Sequence, residues 1–245
     1  MSSQPFATLR LTWPGPPGVL EVSLNRPQKS NAVNREMWKD LRACFGTHLP
    51  TLADLRCVVL TGGASKNFCA GLDLGDTEPI EGSDVARTAL RTRAHVIELQ
   101  ASLDALEQLA VPVVACIHGA CYGAGLDMIC ACDVRWACDG TRFSIKEVDV
   151  GLCADVGVLA RLPRIIGNSS LVHELAYSAR PLSLAVRNDS VRASRQVTSA
   201  SAASELLVTP SILAVGPAFC ELVEGVKGST QTVVKVALHS VDTAL

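Results

Sequence analysis

The apolar and polar positions predict strands alternating with helices over the first 180 residues. Apolar and polar side chains alternate in the two most N-terminal segments, as in half-buried strands, and later apolar runs are typical of buried strands. The predicted strands span residues 7–13, 19–24, 56–61, 111–117 and 134–136, with another around Phe143. Helical spacing predicts helices from Asn34, an N-cap candidate, and over residues 83–109, 155–162 and 168–180. This mixture indicates an α/β fold.

Two glycine-containing segments follow predicted strands, NFCAGLDL at 67–74 and HGACYGAGLD at 118–127. Each could be a tight turn and no more. Glycine also lets a backbone approach a ligand closely, and the first N–H groups of a helix point toward bound negative charge. Neither segment matches a dinucleotide fingerprint, a P-loop or a G-x-S-x-G elbow.

Composition narrows the classes of function. The chain has 245 residues, 48% hydrophobic and 19% charged, enough for a sizeable core in one large or two small domains. A net charge of −2 without a long basic run argues against nucleic acid or an anionic membrane as the main partner. No apolar run approaches ~20 residues, so we expect no membrane insertion, and no targeting signal is legible.

Most of the ten cysteines lie in apolar runs, which predicts small buried thiols in a reducing compartment. Cys130, Cys132 and Cys138 could form a metal cluster, but their spacing fits no common zinc pattern. We therefore expect no bound metal.

Three motifs, in order, resemble the enoyl-CoA hydratase/isomerase (crotonase) superfamily. They are LNRPQKSNA at 24–32, FCAGLD at 68–73 and GAGLD at 123–127, the last followed by Cys132-Asp133. The resemblance covers about the first 180 residues. It implies a spiral of repeated ββα units that binds an acyl-CoA thioester, with CoA as part of the substrate and no metal or redox cofactor.

The resemblance also implies where a substrate would bind. The backbone N–H groups of Leu72 and Ala124 would form an oxyanion hole for the thioester oxygen. Two such donors stabilise the enolate that forms when C2 loses a proton, and one is typically worth ~2.7–4 kcal/mol. The residues implied in substrate binding are Lys29, Asn31, Ala32, Ala70, Gly71, Asp73, Gly123 and Gly125.

The carboxylates indicate which reaction to expect. Hydratases of this family hold a water between two glutamates, whose positions correspond to Asp127 and Glu147 here. Because the first is an aspartate, that clamp is not intact. A third carboxylate, Asp155, lies in KEVDVGLCADVG at 146–157, a run that resembles Δ3,5-Δ2,4-dienoyl-CoA isomerases, as do LPRIIGN and HEL farther on.

The resemblance implies a role for each acid in the isomerisation of unsaturated acyl-CoA during fatty acid β-oxidation. Asp155 would take the C2 proton and Glu147 would deliver a proton to C6, while Asp127 would orient or charge-tune the pair. Burial and mutual repulsion should raise at least one carboxyl pKa.

Structural alternatives exist for each acid. Asp155 could be a helix N-cap, Glu147 and Asp149 could lie on a solvated strand face, and Asp127 could pair with a base.

Residues 181–245 depart from the family. Residues 185–204 are Ser-rich and polar, and a faint similarity returns at 232–240. Relatives continue through C-terminal helices that cover the acyl pocket and build trimers or dimers of trimers. We expect a core at 1–180 and a C-terminal region, divergent or lacking segments, that is helical and supports a homotrimer or homohexamer.

Other functions remain open at this stage. An enoyl-CoA hydratase or a Δ3,Δ2-enoyl-CoA isomerase would share the fold, although Asp127 argues against the first and Asp155 against the second. A non-catalytic acyl-CoA-binding protein is an alternative of another class. Family resemblance implies a mitochondrial or peroxisomal location.

Overall fold

The computed structural model describes residues 5–15, 17–77, 80, 82–183 and the backbone of 212–215. Its strands are β1 (Leu9–Thr12), β2 (Val19–Leu24), β3 (Cys57–Thr61), β4 (Val113–Ile117), β5 (Ala120–Tyr122), β6 (Val134–Cys138), β7 (Arg142–Ser144), β8 (Leu182–Ser183) and β9 (Ile212–Val215). Its α-helices are α1 (Arg35–Ala43), α2 (Val85–Glu107), α3 (Ala124–Cys130), α4 (Val158–Ile166) and α5 (Ser169–Ser178).

The strands form two sheets. The larger has the order β1-β2-β3-β4-β6-β9, and the smaller has the order β5-β7-β8. In the larger sheet only β1 and β2 pair antiparallel, while the other neighbours run parallel. One ββα unit consists of β4 in the larger sheet, β5 in the smaller sheet and then α3. A second unit has the same order, with β6 in the larger sheet, β7 in the smaller sheet and then α4. The predicted α/β class with repeated ββα units is therefore confirmed.

The core lies around the parallel strands. Every residue of β4 is buried, as its apolar run predicted. Every residue of β2 is buried too, so the half-buried strand predicted from its alternating pattern was wrong, because β2 lies between two other strands and is covered on both faces. Helix α1 packs Met37, Trp38 and Leu41 inward, and its predicted N-cap is confirmed because the Asn34 side chain accepts a hydrogen bond from Met37 N at 3.0 Å. None of the helices in the described part of the chain is both long and apolar enough to cross a membrane.

Several predicted boundaries were wrong for identifiable reasons. The second glycine segment is not only a turn, since it contains β5, which is too short for periodicity to reveal and is formed by pairing with β7. Residues 212–215 lie in the region predicted to be helical, yet form β9, because β6 offers them a parallel edge. Helix α4 begins at Val158 rather than at 155. The remainder of the predicted C-terminal region, 184–211 and 216–245, lies outside the described residues.

Candidate active site

The two glycine segments lie side by side. Cys69 N donates to Ala120 O at 3.1 Å, and Tyr122 N donates to Cys69 O at 3.0 Å, which joins the first segment to β5. Gly71 has φ +100° and Gly123 has φ +48°, both in the region that favours glycine. The positive φ at Gly71 and at Gly123 therefore explains why each segment has a glycine at that position.

Close backbone approach is the second reason for glycine at these positions. A Cβ on Gly71 would lie 3.3 Å from Tyr122 O, and one on Gly123 would lie 3.7 Å from the Gly71 Cα. The first distance is shorter than an ordinary contact, so a side chain at Gly71 would press on the second segment, whereas the second distance is an ordinary van der Waals contact.

Leu72 and Ala124 follow these two glycines directly. Val33 N donates to Gly71 O at 2.8 Å and Asp73 N donates to Val33 O at 2.9 Å, so this bridge does not use the Leu72 N–H. Ala124 is the first residue of α3, so the Ala124 N–H has no acceptor within the helix. Within the described residues neither N–H has a hydrogen-bond acceptor. The oxyanion hole itself stays a prediction.

The segments predicted to bind CoA are also neighbours. Ala70 N donates to Ser30 O at 3.0 Å, and the carboxylate of Asp73 accepts from Arg26 at 2.8 Å. The Arg26 guanidinium, first among several causes, lowers the pKa of Asp73. Lys29 and Ala70 are exposed and Ala32 is half-buried. CoA binding by these residues stays a prediction.

Asn31 is fully buried in left-handed backbone, with φ +55°. Its Nδ2 donates to Gly62 O at 2.8 Å and to Phe68 O at 2.9 Å, and its Oδ1 accepts from Arg26 N at 2.9 Å. The side chain therefore holds the LNRP segment against the first glycine segment. Any contact between Asn31 and a ligand is left to its backbone.

We expect Asn31→Ala to lower the free energy of unfolding by about 3 kcal/mol or more, because each buried group left unpaired costs about 1–3 kcal/mol. The N-cap variant Asn34→Ala is the matched control and should cost about 1 kcal/mol. Urea unfolding of both variants measures the difference. Equal, small losses would contradict this structural role.

Gly125 is buried against Cys69 rather than against an open surface. A Cβ on Gly125 would lie 2.6 Å from the Cys69 Cβ, closer than side chains pack. Glycine at this position therefore allows α3 to pack on the first segment, and any contribution to substrate binding would come through its backbone.

Three carboxyls form the acidic part of the site. Asp127, in the first turn of α3, is fully buried, Glu147 is half-buried, and Asp155 is exposed. Burial, and then the charges of Glu147 and Asp155, raise the pKa of Asp127 to about 7. Burial and the charge of Asp155 also raise the pKa of Glu147. The predicted rise in at least one carboxyl pKa is confirmed.

Asp127 connects α3 to α4. Its Oδ1 accepts a hydrogen bond from Val158 N at 2.5 Å, while the N-cap residue of α4, Gly157, has no side chain to do so. Asp155 is therefore not the N-cap, and that alternative was wrong. Asp127 Oδ2 is buried without a hydrogen-bond partner among the described residues.

Glu147 faces the second glycine segment. It begins the 3-10 helix Glu147–Val150, and its Oε1 would lie 3.1 Å from a Cβ on Gly123. Its Oε2 is buried and has no partner in the described part of the chain. Asp149, by contrast, is exposed and pairs with Lys146 at 2.6 Å. The alternative of a solvated strand face was therefore wrong for Glu147, while Asp149 is solvated but lies in a 3-10 helix rather than a strand.

Asp155 lies at the end of the loop that follows this 3-10 helix. Its backbone oxygen accepts from Gln100 Nε2 at 2.6 Å, which joins the loop to α2. Asp155 also borders an open groove of about 560 Å³. The other residues that line the groove are Ala89, Thr92, Arg93, Val96, Ile97 and Gln100.

Arg161 was not among the predicted site residues. Its guanidinium bonds Asp104 at 2.6 Å and Glu107 at 2.8 Å, which holds α4 on α2, and its charge lowers the pKa of Asp127 against the effect of burial. Nothing in the local sequence distinguishes Arg161 from a surface arginine. Only the packing of α4 reveals its position near the acids.

The thiols carry no metal cluster in the described residues, where no group of three or more potential ligands is found. Eight of the nine described cysteines are buried, as predicted, and Cys153 is exposed. Burial raises the pKa of the Cys57 thiol to about 11 and that of the Cys132 thiol to about 12, so both stay protonated.

The shifted pKa of Asp127 predicts a pH-dependent stability. Because folding raises that pKa from 3.8 to about 7, the native state binds a proton more tightly than the unfolded chain. This contribution is fully present below pH 3.8 and is lost as the pH rises to about 7, by up to about 1.4 kcal/mol per pH unit.

Asp127→Asn keeps an oxygen for Val158 N but cannot ionise. We expect it to gain stability relative to the wild type as the pH rises from 3.8 to about 7. Urea unfolding at several pH values tests this expectation. A difference that does not change with pH would contradict a buried, titrating Asp127.

A family model described as enoyl-CoA hydratase/isomerase matches residues 15–186, which include every candidate site residue. The chain belongs to the enoyl-CoA hydratase/isomerase family. The predicted superfamily is therefore confirmed, and the three motifs and the three carboxyls all lie within the matched stretch.

Two curated relatives of this chain are named as dienoyl-CoA isomerases. Human mitochondrial Δ(3,5)-Δ(2,4)-dienoyl-CoA isomerase is 46% identical over 169 residues, which cover 67% of this chain and 51% of the relative. A peroxisomal protein of the same name from Arabidopsis thaliana is 38% identical, with 67% and 60% covered. The chain thus spans about half the length of the curated relatives it matches.

Solved structures agree with the fold. An enoyl-CoA hydratase from Bacillus anthracis superimposes with a TM-score of 0.62 at 30% identity, covering 72% of this chain and 65% of that chain. One from Mycobacterium smegmatis gives a TM-score of 0.61 at 29% identity, with the same coverage.

Proposed function

We propose that this protein is a Δ3,5-Δ2,4-dienoyl-CoA isomerase acting in the β-oxidation of unsaturated fatty acids. The observation that carries the proposal is the group of three mutually interacting carboxyls beside two adjacent glycine segments. The curated relatives bearing that name support it, since they are 46% and 38% identical over the matched stretch.

The reaction moves two double bonds without net gain or loss of atoms. Asp155 removes a proton from C2, and electrons shift so that negative charge reaches the thioester oxygen. The N–H groups of Leu72 and Ala124 stabilise that oxygen. Glu147 then gives a proton to C6, which leaves double bonds at C2 and C4. No metal or redox group is required, because the electrons stay within the substrate.

The environments of the acids support this division of roles. Burial raises the pKa of Glu147, which favours its protonated form, and its carboxyl lies beside Gly123, as a proton donor to the substrate would require. Asp155 lies at the edge of the groove along α2, so it meets the acyl chain from another side. Asp127 positions the start of α4, which follows Asp155 by three residues.

The test is turnover of 3,5-dienoyl-CoA, followed by ultraviolet absorbance, because the conjugated 2,4-dienoyl product absorbs where the substrate does not. We expect the absorbance to rise with time in proportion to enzyme. Turnover of 2-enoyl-CoA or 3-enoyl-CoA alone would instead support a hydratase or a Δ3,Δ2-enoyl-CoA isomerase. Binding without turnover of any of the three would support a non-catalytic acyl-CoA-binding protein.

We propose self-association into a homotrimer or homohexamer. The support is the first half of α2, which exposes Val85 and Leu90, apolar side chains that another surface would cover favourably. Light scattering of the full chain tests this proposal, and a strictly monomeric mass would refute it. The relatives' names support action in the mitochondrion or the peroxisome.

A further inference from the structure

We propose that Cys69 is a positioning residue whose side chain sets the spacing between the two amides that would bind the thioester oxygen. The proposal rests on the function proposed above and adds a residue to it. Cys69 itself is fully buried and touches no substrate.

The first contact is with the segment that carries Leu72. Cys69 Sγ accepts a hydrogen bond from Gly71 N at 3.4 Å, one residue before the Leu72 amide. The same sulfur donates to Asn31 O at 3.2 Å. The thiol therefore ties the peptide leading to one amide donor onto the buried LNRP segment.

The second contact is with the segment that carries Ala124. A Cβ on Gly125 would lie 2.6 Å from the Cys69 Cβ and 3.1 Å from its Sγ. The backbone of Gly125, one residue after the Ala124 amide, thus rests on the Cys69 side chain. One side chain contacts the residue before one donor and the residue after the other, so its volume sets the gap between them.

The chemical state of the thiol suits this role. Burial, the largest cause, raises the pKa of Cys69 to about 12, so the sulfur stays protonated at neutral pH. A neutral S–H can donate to Asn31 O and accept from Gly71 N at the same time. It also adds no negative charge beside a developing enolate.

The matched control is Cys116→Ala. Cys116 is an equally buried thiol in β4, so truncating it removes the same sulfur from the core, and it is not among the atoms nearest to Gly71, Gly123 or Gly125. Cys69→Ala removes the sulfur, and Cys69→Ser restores a donor and acceptor of nearly the same size. All three variants are made in the full chain.

We expect Cys69→Ala to lower kcat about tenfold to a hundredfold with KM little changed, since misplacement of about 1 Å can cost about 10²-fold. Cys69→Ser should recover most of kcat, and Cys116→Ala should keep it. A second readout is the enolate of bound acetoacetyl-CoA, a β-ketoacyl thioester whose enolate absorbs in the near ultraviolet. Its apparent pKa on the enzyme should rise in Cys69→Ala alone.

The outcomes separate the two proposals. If the wild type does not isomerise dienoyl-CoA but binds acetoacetyl-CoA as the enolate, the proposed reaction fails and the positioning role is still measured. Wild-type kcat and enolate pKa in Cys69→Ala would overturn the positioning role, as would equal losses in Cys116→Ala. If Cys69→Ala does not fold, Cys69→Thr takes its place, because it adds a methyl group against Gly125. A raised enolate pKa in Cys69→Thr beside a normal Cys116→Ala supports the positioning role, and an unchanged enolate pKa overturns it.

Discussion

Replacing Asp155 by Asn, or Glu147 by Gln, should lower the turnover of 3,5-dienoyl-CoA by about 10²–10⁴-fold, the usual contribution of a positioned proton-transfer group. Both changes keep the size of the side chain and remove its ability to exchange a proton. Since the two groups act at different carbons, neither can replace the other. Initial rates of absorbance increase measure the effect, and KM should change little.

The matched control is Asp149→Asn. Asp149 lies in the same 3-10 helix as Glu147, but it is exposed and paired with Lys146, so its loss should leave turnover unchanged. Wild-type rates in both Asp155→Asn and Glu147→Gln would refute the assigned roles. Loss in Glu147→Gln alone would make Glu147 the acid and leave the base unassigned.

Gly123→Ala should lower kcat by about 10²–10³-fold, as the loss of one oxyanion donor does. The variant places a Cβ 3.1 Å from Glu147 Oε1 and 3.7 Å from the Gly71 Cα. The first distance is shorter than an ordinary contact, so the Glu147 carboxyl must move. The backbone at residue 123 must also keep a positive φ that a side chain disfavours, or change at the residue that precedes the Ala124 N–H. The backbone at φ +48° and ψ −121° adds strain of about 1–3 kcal/mol, which urea unfolding will register.

Gly140→Ala is the control for Gly123→Ala, because it introduces similar backbone strain at a position outside the candidate active site. Gly140 has φ +74°, but a Cβ there meets no atom within 4 Å among the described residues. This control should lose some stability and keep its turnover. If Gly123→Ala also keeps its turnover, the glycine conformation that precedes the Ala124 N–H has no catalytic importance.

The hydrogen bond from Val158 N to Asp127 connects the start of α4 to α3 within the candidate site. Asp127 lies in the first turn of α3, three residues after the proposed donor Ala124. Val158 opens α4, three residues after the proposed base Asp155. A single buried side chain therefore links the helix bearing one amide to the loop bearing the base, which explains why this acid is buried despite the cost of its charge.

Local pattern was sufficient for most of the fold. The apolar runs of β3 and β4 and the Asn34 cap of α1 each carry their own signal, because an apolar run and a capping side chain are visible in adjacent residues. The alternation in β2 predicted the strand but not the burial of both its faces. Three-residue β5 and four-residue β9 carry no such signal. Each exists because another strand, β7 or β6, pairs with it.

For the site, the sequence by itself determined the family, the positions of the two glycine segments and the candidate acids, because these depend on residue type at fixed spacing. Tertiary structure alone decided that Asp127 caps α4, that Glu147 turns inward while Asp149 faces solvent, and that Cys69 lies between the two segments. Burial, pKa and contact depend on residues far apart in the chain, brought together only by folding.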